Sequence, residues 1–222
     1  MDEVKEEIKE ESKELKEDKA VKVSDVQSKS FGNKILDWLK NPLNIALLIL
    51  ILFTLITRIY FYIHTYNQPL WWDEADYMNL GRDWAFGTDY WYIQVIRPLF
   101  LSAMIFVFYK IGFTEAIIRL IPLLSSIISV YLVYLIGKEL YDKRAGLIAG
   151  FLLASFWSFL FYSFRILVDV PVAMFWLLAV LFFVKGYIKK QGKWYTWLIV
   201  PAVILAFYMK FTGGLVGLVF IL

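Results

Sequence analysis

The 222 residues are 60% apolar and 19% aromatic, with a mean hydropathy of +0.61, whereas a soluble domain is about 45–50% apolar. That composition excludes an ordinary water-soluble globule and, for most of the chain, intrinsic disorder. The absence of cysteine rules out disulfides and thiolate zinc or redox sites, and the single histidine, His64, leaves too little for a histidine metal cluster or a Ser-His-Asp triad.

The net charge of +3 is unevenly placed. Residues 1–40 hold 9 Lys and 11 acids out of 43 charged residues, and the remainder carries few, clustered charges. The chain therefore reads as two parts. Residues 1–40 form a charged cytoplasmic tail without a fixed fold or loosely helical, and 41–222 form an integral membrane domain. The tail is not a signal peptide, which would place a short basic region directly before an apolar stretch. Its alternating Lys and Glu form no basic face, so no nucleic-acid partner is expected.

The apolar run Leu43–Ile63, interrupted by Arg58 and preceded by Asn41-Pro42, is long enough to be a first membrane helix. Residues 64–96 read as a polar, aromatic loop lying on the membrane surface, with Trp71-Trp72-Asp73-Glu74-Ala75-Asp76-Tyr77 and later Asp83, Asp89, Tyr90, Trp91 and Tyr92. Apolar stretches follow at Pro98–Phe113, Leu120–Ile136, Ala145–Phe164, Pro171–Val184 and Trp194–Met209, with a further run Gly213–Leu222. Pro98–Phe113 is short for a span, roughly 24 Å as a helix. If it does not cross, the lysine-rich connections at 138–144 and 185–193 both face the cytoplasm, as the positive-inside rule favours.

That topology brings Asp73, Glu74, Arg97, Arg119, Arg165, Asp169 and Lys210 to one side, at the outer membrane surface. Charges beside membrane helices are costly and usually face a cavity, partner or substrate. A carboxylate there can take a proton from an acceptor hydroxyl. Arginine and lysine can bind a lipid phosphate and stabilise it as a leaving group. Plainer readings exist: Arg165 and Asp169, four apart, suit an ion pair closing a helix before Pro171. Arg58, Arg119 and Lys210 suit snorkelling to headgroups, and His64 suits an interfacial polar residue.

The segments Trp72-Asp73-Glu74-Ala75-Asp76-Tyr77, Arg97-Pro98-Leu99-Phe100, Thr114-Glu115-Ala116-Ile117-Ile118-Arg119, Gly137-Lys138-Glu139-Leu140-Tyr141 and Ser163-Phe164-Arg165-Ile166-Leu167-Val168-Asp169-Val170-Pro171 stand in an order that carries a resemblance. From residue 43 onward the chain resembles the N-terminal half of the GT-C type glycosyltransferases, in the protein-mannosyltransferase and aminoarabinose-transferase-like branch. The family often shows a double proline where this chain has Arg97-Pro98.

The resemblance implies an all-α, multi-span helical bundle in the plasma membrane, with its N-terminus cytoplasmic and its active site external. It implies transfer of a mannose-like sugar from a polyprenyl- or dolichyl-phosphate donor to a hydroxyl of a protein or lipid acceptor, with inversion. Asp73 would be the catalytic base and Glu74 its support. Arg97, Arg119, Arg165 and Lys210 would contact substrate, and Asp169 is the candidate ligand for a divalent metal. Relatives continue through further helices, so a C-terminal part or a partner subunit is expected to complete the enzyme. Two other classes fit the same charges: a transporter or lipid-flipping subunit, and a non-catalytic assembly partner of a larger transferase.

Overall fold

A computed structural model describes residues 31–88 and 97–220. The charged tail before residue 31 and the loop residues Asp89, Tyr90, Trp91 and Tyr92 lie outside the described residues. The chain divides into Met1–Ile45 and Ala46–Leu222. In the first unit, helix α1 (Phe31–Leu39) exposes Ile35, Leu36 and Trp38. Asn41 Oδ1 accepts from Leu43 N at 3.0 Å, capping the start of α2 (Pro42–Thr65), where Pro42 is suited to the first helical position.

The second unit is predominantly helical, with no strand among its described residues. After α2 come α3 (Trp72–Phe86), α4 (Phe100–Lys110), α5 (Glu115–Ile118), α6 (Leu120–Leu140), α7 (Lys143–Ser155), α8 (Trp157–Tyr162) and α9 (Asp169–Phe183). A π turn (Val184–Ile188), α10 (Lys193–Met209), a 3₁₀ turn (Phe211–Gly214) and α11 (Leu215–Val219) complete it. Three helices are long and apolar enough to cross a bilayer: Pro42–Thr65, Glu115–Leu140 (α5 continuing into α6) and Asp169–Ile188 (α9 with its π turn). Much of their apolar surface is exposed, as on Ile49, Leu52, Ile56 and Ile63 of α2. Such faces are stable only in a hydrocarbon medium. The chain is an all-α, multi-span membrane protein.

Close helix packing depends on absent side chains. Where α6 and α7 cross, a methyl group on Gly137 would lie 2.7 Å from Gly146 Cα. Between α3 and α4, one on Gly81 would lie 2.9 Å from the Ser102 carbonyl. Small residues let helix backbones approach where burial from water supplies no driving force. Asp142 caps the start of α7 by accepting from Ala145 N at 2.7 Å.

Two apolar stretches differ from their sequence reading. Ala145–Phe164 is two helices, broken at the extended Phe156 (φ −67°, ψ 114°). Arg58, expected to snorkel, is wholly buried. Its Nη1 donates to the Ala154 carbonyl at 2.7 Å and its Nε to Ser126 Oγ at 3.1 Å. The last carbonyls of a helix lack helical donors and favour a cation, so the break supplies what a buried guanidinium needs. Pro98–Phe113 contains only the 11-residue α4, about 16 Å long.

Candidate active site

The charged side chains stand in the first turn of α3 (Asp73, Glu74) and beside the ends of the later helices (Arg97, Arg119, Arg165, Asp169, Lys210). Beneath them lies an apolar core that includes Tyr77, Met78, Leu101, Ile118, Ile166 and Met209. The charges form two layers.

The inner layer is built on Glu74, fully buried in the first turn of α3. Its Oε2 accepts from Trp71 N at 2.8 Å and from Arg165 Nη1 at 3.3 Å, and its Oε1 accepts from Ile166 N at 2.7 Å. Arg119 Nη1 stands 4.0 Å from Oε1. Arg119 Nη2 donates to Glu115 Oε1 at 2.7 Å and to the Gln68 carbonyl at 2.9 Å. Arg165 Nη2 donates to Gln68 Oε1 at 3.1 Å, and its guanidinium lies 4.1 Å from the Trp71 ring centre. Arg119 and Arg165 are 1% and 6% exposed. An ion taken out of water needs such partners; two carboxylates and two guanidiniums balance here.

The outer layer is solvent-facing. Asp73, 58% exposed, accepts from Arg97 Nη2 at 2.7 Å, and the same nitrogen reaches Asp76 Oδ2 at 3.1 Å. Lys210 donates to Asp169 Oδ1 at 2.9 Å, both partly exposed. The hydrogen bond to Asp73 raises the Arg97 pKa above its ordinary value, outweighing partial desolvation. Arg97 lies over the Tyr77 ring at 5.4 Å. Burial raises the Tyr77 pKa, opposed by Arg97 and reinforced by the Asp73 and Asp169 charges, so the phenol stays protonated at neutral pH.

The seven charged residues singled out in the sequence thus fall into linked groups: Asp73 with Arg97, Glu74 with Arg119 and Arg165, and Asp169 with Lys210. The pairing of Arg165 with Asp169 suggested by their spacing does not form; each takes a partner from another element. Both ends of the α4 stretch return to one place, since Arg97 meets Asp73 and Arg119 meets Glu74. Beside the inner layer a cavity of about 490 Å³ is lined by residues 66–70 and 114–116.

Sequence reasoning passed over Gln68, Asp76 and Glu115 as site residues. Asp76 is one helical turn from Asp73, and Glu115 four residues before Arg119, so helical spacing carried a signal for both. Nothing marked Gln68, whose role depends on a loop closing against two distant arginines.

The donor set at Asp169 does not fit a divalent metal. Its carboxylate holds an ammonium, and among the described residues no three carboxylate or imidazole groups cluster to receive a cation.

The chain is 30% identical over 92 residues to the dolichyl-phosphooligosaccharide-protein glycotransferase 3 of Archaeoglobus fulgidus, covering 41% of this chain and 10% of that protein. No solved structure matches. The pattern of dolichyl-phosphate-mannose-protein mannosyltransferases matches residues 96–222, more than half the chain, and takes in Arg97, Arg119, Arg165, Asp169 and Lys210, while Asp73 and Glu74 precede it. With its apolar spanning helices and this match, the chain belongs to the dolichyl-phosphate-mannose-protein mannosyltransferase family.

Proposed function

We propose that the protein carries the catalytic front of a membrane glycosyltransferase. It moves a mannose-like sugar from a polyprenyl- or dolichyl-phosphate donor to a hydroxyl of a protein or lipid acceptor at the outer face of the plasma membrane. The observation that carries this reading is the exposed Asp73, held by Arg97 at 2.7 Å and anchored through its neighbour Glu74 to a buried ionic network. The family and the archaeal glycotransferase support the reaction class.

In the proposed step the acceptor oxygen attacks the anomeric carbon, and its proton passes to the Asp73 carboxylate. The new carbon–oxygen bond forms as the bond to the phosphate oxygen breaks, and that oxygen leaves with the electron pair. Attack opposite the leaving group inverts the anomeric centre. Arg97 and Lys210, the partly exposed cations, are suited to the departing lipid monophosphate, where negative charge develops. Arg119 and Arg165 act indirectly, by fixing Glu74 and hence the first turn of α3. The cavity lined by amide, hydroxyl and carboxylate groups at 66–70 and 114–116 suits a hydroxyl-rich ligand.

The test is a reaction of the membrane-embedded protein, with whatever chain follows residue 222 in its natural form, on a synthetic polyprenyl-phosphate mannose and a hydroxyl acceptor. The expected products are an anomerically inverted glycoside and one equivalent of polyprenyl monophosphate. Retention of configuration, or donor uptake without covalent transfer, contradicts the reading. The second outcome belongs to a transporter, which the broken α7–α8 segment beside buried Arg58 would suit.

A further inference from the structure

The end of the second unit remote from the ionic network has a chemistry that the transfer reaction does not use. Helix α6 runs there from Arg119, and the segment Asp169–Ile188 runs there from the Lys210–Asp169 pair. Each covers about 30 Å, one hydrocarbon thickness. Their connections, 138–144 and 185–193, meet around Glu139: Lys185 Nζ lies 3.8 Å from its Oε1, and Gln191 Nε2 donates to its Oε2 at 2.9 Å.

The acids at this end are already engaged. Glu139 serves Lys185 and Gln191, and Asp142 caps α7. Around them stand five exposed cations: Lys138, Arg144, Lys189, Lys190 and Lys193. The second connection leaves α9 through a π turn and holds Lys190 at φ 52°, a left-handed conformation that an L side chain adopts at a cost. Irregular geometry of this kind recurs where a chain must present particular groups. Aromatic rings are exposed alongside: Tyr141 (82%), Tyr187 (67%), Trp194 (58%) and Trp197 (77%).

We propose that this end is a binding site for anionic phospholipid headgroups. Clustered lysines and arginines beside membrane helices attract negatively charged lipids, each contributing about fivefold in affinity. Tyr and Trp rings settle at headgroup level. An acidic protein or a nucleic acid would meet the same cations. The apolar Leu140 and Ile188, exposed beside them, instead suit a surface that is part hydrocarbon and part phosphate. The inference is independent of the transfer chemistry at the other end.

The test uses native mass spectrometry of the full chain in detergent, titrated with phosphatidylglycerol and, separately, phosphatidylcholine. Retention of phosphatidylglycerol should exceed that of phosphatidylcholine at least tenfold. The triple variant K189Q/K190Q/K193Q should lose most of that preference, and K189R/K190R/K193R should keep it. Equal retention of the two lipids, or an unchanged preference in the glutamine variant, overturns the proposal. Displacement of the retained lipid by millimolar inorganic phosphate would reveal a free-anion site instead, and also overturns it.

Discussion

Glu74 is where the adjacent carboxylates of the Asp73-Glu74 pair part company. One is fully buried and accepts two backbone N–H groups and a guanidinium; the other faces solvent against Arg97. Removing one partner of a buried pair leaves the other charge uncompensated, typically costing about 3–5 kcal/mol. Glu74→Ala should therefore lower the thermal unfolding temperature sharply in detergent, whereas Asp73→Asn should leave it almost unchanged. Equal melting temperatures for Glu74→Ala and the parent would remove Glu74 from its structural role. Tyr77 gives a pH test. Burial raises its pKa above the usual value near 10, so above that pH the folded chain holds a proton that the unfolded chain has released. Stability then falls as pH rises through this window. The parent should lose more stability than Tyr77→Phe between about pH 9.5 and 11; parallel curves would contradict the assignment. At this scale the sequence singled out seven charged side chains that the fold links in ion pairs, because charges next to apolar runs are conspicuous. It could not assign their partners: Arg165 reaches across 91 residues to Glu74 instead of four to Asp169, a choice made by tertiary packing.

Individual helices show where pattern reading reaches its limit. Span-length α2 and α6 were legible because long apolar runs have few alternatives in water. The break at Phe156 was not, since neither proline nor glycine marks it; the stabilising bond from Arg58 to the Ala154 carbonyl spans 96 residues of sequence. Nor did apolarity reveal that α4 is only 11 residues long. The α6–α7 contact rests on the Gly137–Gly146 approach. Gly146→Val should force these backbones apart at about 1–3 kcal/mol, read as a lower melting temperature with helix content by circular dichroism retained. An unchanged melting temperature would show that the crossing tolerates a side chain.

Taken whole, the second unit alternates direction so that charged connections gather at one end and lysine-rich ones at the other. In the orientation we propose, with the ionic site outside, the 138–144 and 185–193 connections face the cytoplasm, in keeping with the positive-inside bias. Because the chain has no cysteine, a single introduced thiol reports cleanly. Tyr141→Cys, on a residue 82% exposed, should react with a membrane-impermeant maleimide only after permeabilisation; labelling of intact cells would reverse the topology. The fold class and its membrane setting were readable from composition and run length. The two-layer division of the charges was not, because burial depends on how loops close over one another.

The proposed transfer depends on one carboxylate, and the Arg97 guanidinium offers an internal control by contacting two. Asp73 and Asp76 sit 2.7 and 3.1 Å from the same nitrogen, so neutralising either perturbs the same cation. The decisive measurement is the rate of sugar transfer from polyprenyl-phosphate mannose by Asp73→Asn and Asp76→Asn proteins of matched melting temperature. Loss of a general base predicts a fall of about 10²–10⁴-fold for Asp73→Asn, with Asp76→Asn retaining transfer within about tenfold. Near-parental transfer by Asp73→Asn, or a larger loss in Asp76→Asn, would contradict the account.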